Sequence, residues 1–83
     1  MNQTERILQE YSSYLKIERA MSPNTVTSYS SDVKEFFSVV TTAPADVATQ
    51  EIQNFLSSRD TLSKRSQARF LSSLRSFFDW LVM

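Results

Sequence analysis

Apolar residues recur along this chain with the period of a helix, and polar residues fill the opposite faces. Ile7, Leu8, Tyr11, Tyr14 and Leu15 form one stripe, which predicts a first helix over residues 4–20. Thr4 is its expected cap, and Glu5 falls in the positively polarised first turn. Helices often stop at a glycine, which takes a positive φ without penalty. Ala20-Met21 stands in that place here, so the stop is expected from Ser22-Pro23, because proline disfavours the α conformation in the residue before it. The same dipeptide starts the next helix, with Ser22 as cap and Pro23 at the first helical position. That helix is predicted over 23–40, with Val26, Tyr29, Val33, Phe36, Phe37 and Val40 on one face.

The stretch TTAPADVA at 41–48 breaks the periodicity. Thr49 is the expected cap of a short third helix over 50–59, with Ile52, Phe55 and Leu56 as its apolar edge. After a connection from Ser57 to Leu62, Ser63 caps a last helix over 64–82. Its core stripe is Phe70, Leu71, Leu74, Phe77, Phe78 and Leu81. Trp80 falls off this stripe and either closes the edge of the core or meets a part of the protein outside this chain. The β-branched residues lie on helical stripes, and no hairpin dipeptide occurs. The expected fold is all-α, a compact four-helix bundle forming one domain over 1–83.

Two polar faces stand out. On the second helix Asn24, Thr27, Ser28 and Ser31 lie opposite the core stripe, with Thr25 at the boundary. No acid occurs there until Asp32 and Glu35. On the last helix Arg65, Arg69, Ser72, Ser73 and Ser76 share one arc, with no acid until Asp79, while Lys64 and Arg75 flank the apolar arc on its other edge. Guanidinium groups spaced by small hydroxyl side chains let a polyanion come close, and a helix start offers free amide groups to phosphate. The plain alternative for each face is a solvated surface.

Composition narrows the chemistry. The 83 residues make one small domain, with nine basic and nine acidic side chains and no Cys, His or Gly. Without Cys there is no disulfide or zinc–thiolate framework. Without His the usual general base and metal ligand are missing. Without Gly a glycine-rich phosphate loop is excluded. No cofactor and no metal is expected. No apolar run approaches a membrane span and no signal-peptide pattern opens the chain, so a cytoplasmic location is expected. The zero net charge argues for modest affinity for any polyanion, yet its distribution is uneven. Residues 61–83 carry four basic side chains against one acid, and residues 1–60 carry five against eight.

Two segments together resemble a known family. YLKIERAMSPNTVTSYSSDVKEFF (14–37) and LSKRSQARFLSSLRSFFDWL (62–81) are similar to two signatures of the N-terminal core-binding domain of tyrosine recombinases, the phage integrase family, with the Xer-type branch nearest. The spacing between them fits, as does Thr49, Ile52, Phe55 and Leu56 as a weak Thr-x-x-Ile-x-x-Phe-Leu. One departure is Ala20-Met21, where the family usually has Gly-Leu. The resemblance implies a SAM-like helical bundle that, with a separate catalytic domain, clamps double-stranded DNA. It implies that the second and fourth helices cross at the major groove. Carried over by position, Asn24 and Thr25 touch phosphate or a base edge, and Ser28 reaches the groove one turn on. Lys64, Arg65, Ser66 and Arg69 hold phosphates or bases, and Ser72 allows close approach. Arg19 reaches a phosphate or pairs with an acid such as Glu18. Arg75 has a packing or ion-pair role as its equal alternative.

The same resemblance implies that catalysis belongs elsewhere. The family cleaves DNA through a tyrosine assisted by Arg, His and Lys. Tyr11 and Tyr29 sit on core stripes and Tyr14 at the edge of one, so no nucleophile and no cleavage by this chain alone are expected. The chain reads as a fragment of a larger recombinase, monomeric in isolation, that meets further recombinase protomers in a synaptic complex. The rival reading is a helical protein–protein interaction module without DNA binding.

Overall fold

The computed structural model describes residues 3–59 and 61–83. Four α-helices account for most of them: α1 (Gln3–Ser13), α2 (Pro23–Val39), α3 (Thr49–Ser57) and α4 (Lys64–Leu81). A π-helical turn, Tyr14–Glu18, continues α1, and a 3₁₀ turn, Pro44–Asp46, lies between α2 and α3. No strand occurs among the described residues, so the all-α expectation holds. Asp60, in the connection before α4, lies outside them.

The first helix departs from the expected α-helix over 4–20. Its last turn widens: the Arg19 N–H donates to the Tyr14 carbonyl at 3.1 Å, and the Met21 N–H donates to the Leu15 carbonyl at 3.1 Å. The first bond spans one residue more than the usual helical closure and the second two more. Between them Ala20 takes a positive φ of 49°, so the alanine occupies the left-handed position for which glycine is suited. The stop therefore does not come from Ser22-Pro23 alone. The π turn also leaves Leu15 buried while Ile17 faces solvent.

The other ends follow the sequence closely. The Ser22 hydroxyl accepts the Thr25 N–H at 3.3 Å, and Pro23 opens α2. The Ser63 hydroxyl accepts the Ser66 N–H at 3.2 Å. α3 begins one residue early, at Thr49, with Ala48 as its cap residue. Alanine has no side-chain acceptor, and the Glu51 carboxylate compensates by accepting the Ala48 N–H at 3.2 Å. Thr42 donates to the other Glu51 oxygen at 2.7 Å, which ties the loop to α3.

The core is Tyr11, Leu15, Val33, Phe36, Phe55, Phe70, Leu74 and Phe77. Its rings meet edge to face, Tyr11 on Phe77 at 5.2 Å and Phe36 on Phe55 at 5.2 Å, a favoured arrangement for aromatic quadrupoles. Trp80 packs against Tyr11, Tyr14 and Phe77, so it closes the core edge. Two positions of α4 differ from the expected stripe. Leu71 is 41% exposed, and Ser73 is fully buried. α2 and α4 form the most extensive helix pair, and the small Ser73 side chain sits where they cross.

Candidate nucleic-acid interface

The polar faces of α2 and α4 begin alike. Each helix opens on a Ser cap with a hydroxyl residue three positions on: Ser22 and Thr25, Ser63 and Ser66. Neither has an acid in its first turn, so the partial positive charge of both helix starts is uncompensated locally. The Thr25 and Ser66 hydroxyls contact their cap serines at 2.9 Å and 3.2 Å. Asn24, Lys64 and Arg65 are exposed, and Ser28 is half-buried one turn along α2.

The two faces then meet. Asp32, one turn beyond Ser28, is 4% exposed. Arg69 donates Nε–H to its Oδ2 at 2.9 Å and Nη2–H to its Oδ1 at 3.0 Å. Ser73 donates to Oδ2 at 2.8 Å and also contacts the Arg69 carbonyl at 2.9 Å. A forked arginine–carboxylate pair therefore joins α2 to α4 at their crossing. Hydrogen bonding to Asp32 and the carboxylate's negative charge push the Arg69 guanidinium above its ordinary range, so it stays protonated. The Arg69 side chain remains 47% exposed.

This pair corrects the placement of two residues. Asp32 is not a solvated acid on the outer face of α2, and Ser73 is not on the outer arc of α4. Both lie inside the bundle, and sequence reasoning gave neither a role. Angular position held the signal. At about 100° per residue, Asp32 falls only about 40° from Phe36 and Ser73 only about 40° from Phe77. Their meeting is a tertiary fact, because the partners are separated by 37 and 41 residues.

Arg19 is the C-terminal cap residue of the π turn and is exposed. It lines a groove of about 540 Å³ together with Tyr29, Ser72, Arg75, Ser76 and Asp79. Ser72 is exposed on its rim, one turn from Arg69. Among the described residues no acid forms an ion pair with Arg19 or Arg75. The structure thus brings Arg19, Ser72 and Arg75 to one groove and Asp32, Arg69 and Ser73 to the contact of α2 with α4, with Ser28 one turn before Asp32 on α2. It leaves Asn24 and Thr25 at one helix start and Lys64, Arg65 and Ser66 at the other.

Arg59 was also unassigned by sequence reasoning. Its guanidinium lies 4.8 Å over the Phe55 ring and 3.7 Å from Glu35. It supports the bundle from just beyond α3 rather than adding a free cation to the candidate interface.

A small all-α module in which a hydroxyl-bearing face of α2 is joined to an arginine-bearing face of α4 by an ion pair is the class this geometry defines. The family model for the phage integrase N-terminal SAM-like domain matches residues 8–83, and the chain belongs to that family. Relatives extend over nearly all of it. A protein named tyrosine recombinase from Pseudothermotoga lettingae is 42% identical over 86 residues, covering 95% of this chain and 30% of that protein. Tyrosine recombinase XerC of Leptospira interrogans is 34% identical, covering 99% of this chain and 27% of its own length. Tyrosine recombinase XerD of Listeria monocytogenes is 31% identical, covering 92% and 28%. The chain therefore spans less than a third of the length of these relatives. No solved structure gives a significant match. Among the described residues no helix is long and apolar enough to cross a membrane.

Proposed function

We propose that this chain is the DNA-gripping domain of a site-specific tyrosine recombinase, one half of a clamp that holds duplex DNA through α2 and α4. One observation carries the reading: the polar faces of these helices converge at a crossing where the acid they share, Asp32, is buried and neutralised. A polyanion approaching the crossing meets the Arg69 guanidinium and the Ser72 hydroxyl in place of the Asp32 carboxylate, while Glu35 nearby is paired with Arg59 at 3.7 Å. Lys64, Arg65 and Arg19 extend the basic surface to either side, and the two acid-free helix starts add amide dipoles. Phosphate contacts of this kind position a protein on DNA, while base edges and DNA shape carry sequence.

Strand cleavage and rejoining belong to a part of the recombinase outside this chain. The Tyr11 hydroxyl is committed to Ser76 at 2.9 Å inside the bundle, and Tyr14 and Tyr29 pack on the core. None of the three is assigned as the nucleophile. Incubating the chain with recombination-site DNA yields no covalent adduct on this reading.

The test is an amide chemical-shift titration with a generic duplex at low and moderate salt. Nonspecific affinity is expected at about 10⁻⁴ to 10⁻⁶ M. Shifts clustered at residues 22–28 and 63–73, fading as salt rises, support the reading. Absence of shifts at low salt refutes it. Arg65→Ala reduces the salt slope by about one unit without changing the fold.

A second reading rests on a different surface. Leu71, at 41% exposure, borders an apolar groove of about 570 Å³ lined by Val47, Ile52, Leu56, Leu74 and Phe78. That groove suits an apolar side chain of another protein, including a neighbouring recombinase protomer. Leu71→Asp abolishes such an association and leaves the DNA titration unchanged.

A further inference from the structure

We infer that Asp32 is a positioning residue for DNA contact: it holds the Arg69 guanidinium as an aimed donor to a backbone phosphate at the α2–α4 crossing. The inference rests on the DNA-binding reading above and names a part for a residue that does not itself touch DNA. An arginine has five N–H donors, and the carboxylate takes Nε–H and one hydrogen of Nη2. Both hydrogens of Nη1 and the second of Nη2 remain, on a side chain 47% exposed. The carboxylate accepts a third hydrogen bond, from Ser73 to Oδ2 at 2.8 Å. Asp32 is thereby pinned from α4 at two points and cannot follow Arg69 if it swings. A free arginine loses much rotamer freedom when it binds phosphate. Here that ordering has already occurred in the folded domain, so it no longer opposes binding.

The same pair admits a contrary role, a neutral staple in which Asp32 cancels the charge of Arg69 and removes it from the DNA surface. The two roles predict opposite effects of one substitution. If Asp32 positions Arg69, Asp32→Asn lowers duplex affinity roughly 2- to 13-fold, the cost of ordering one long side chain on binding. The salt slope stays the same, because the same phosphates are neutralised. If Asp32 only cancels charge, Asp32→Asn strengthens binding and steepens the slope by about one unit. Stronger binding or unchanged affinity overturns the inference.

A second measurement does not depend on how well the variant folds. In the wild-type chain the Arg69 Nε–H resonance, held by Asp32, is followed during titration with a 20-base-pair duplex. It shifts along the same binding curve as the amides of residues 22–28 and 63–73. Amide shifts with a stationary Arg69 Nε–H overturn this inference alone. No shifts anywhere, at low salt, remove the DNA-binding reading and this inference with it.

Discussion

Removing Arg69 should damage the fold more than removing the charge of Asp32, although the two are partners in one ion pair. The asymmetry follows from burial. Asp32 is 4% exposed, whereas half of the Arg69 side chain already faces water. In Arg69→Met a carboxylate stays inside the bundle with Ser73 as its remaining donor. Stripping the partner from a buried charge costs about 3–5 kcal/mol, and about 3 is expected here because Ser73 still donates. In Asp32→Asn the guanidinium swings into solvent, the two charge-assisted contacts of the fork are given up, and no charge is left buried, a cost of about 1.5–2 kcal/mol. For a domain of this size each kcal/mol moves Tm by roughly 4–8 °C, so the two variants should separate by several degrees. In the double variant the two penalties should not add, and the shortfall should exceed about 1 kcal/mol. Urea unfolding of the four proteins, followed by circular dichroism, measures all three quantities. If Arg69→Met costs no more than Asp32→Asn, the buried carboxylate is not what makes the pair matter, and the reasoning fails.

Three further outcomes follow from the same geometry. Ala20→Gly relieves a residue with a Cβ held at φ 49° and should stabilise the chain by about 0.5–1 kcal/mol, offset in part by the freer unfolded glycine; a lower urea midpoint would contradict it. Ser63→Ala removes the acceptor for the Ser66 N–H and should cost about 1 kcal/mol, visible as reduced amide-exchange protection confined to the first turn of α4. Tyr11 is pushed above its ordinary value of 10.0, first by burial and against the opposing effect of its Ser76 hydrogen bond. Its folded state holds the proton more tightly than the unfolded state. The stability this contributes is fully present below about pH 10 and declines as pH rises above it, and Tyr11→Phe should flatten that alkaline decline in a thermal-melt series.

Periodicity alone located all four helices and most of the core, because each amphipathic stripe must bury its apolar side. Cap chemistry located the starts of α2 and α4, because Ser22-Pro23 and Ser63 act on amides within three residues. Three features were beyond such local signals. The π turn at Tyr14–Glu18 satisfies Tyr14 and Leu15 carbonyls with bonds that no stripe encodes. Ala20 takes a conformation that residue type argues against, and the surrounding bonds impose it. The Asp32–Arg69–Ser73 cluster joins residues from helices far apart in sequence, so each looked like an ordinary member of a polar face. Of the candidate interface, the sequence showed which residues were polar and basic. It did not show that Arg69 is already engaged or that Arg75 shares a groove with Arg19.

The cluster also bears on how a chain of zero net charge would offer a surface to DNA on the proposed reading. Screening limits exposed charges to an effective range of about 8 Å at physiological salt, so the local arrangement outweighs the sum. Burying Asp32 removes from that arrangement the acid nearest the helix crossing, and the carboxylate does so while bonding the two helices together. A solvated aspartate at the same place would repel phosphate and leave the crossing held by packing alone. A hydrophobic residue there would hold the helices but leave Arg69 free to wander. The forked pair meets both needs with one side chain, which is why stability and DNA contact are expected to change together in Asp32 variants yet separately in Ser63 and Arg65 variants, where cap and cation occupy different residues.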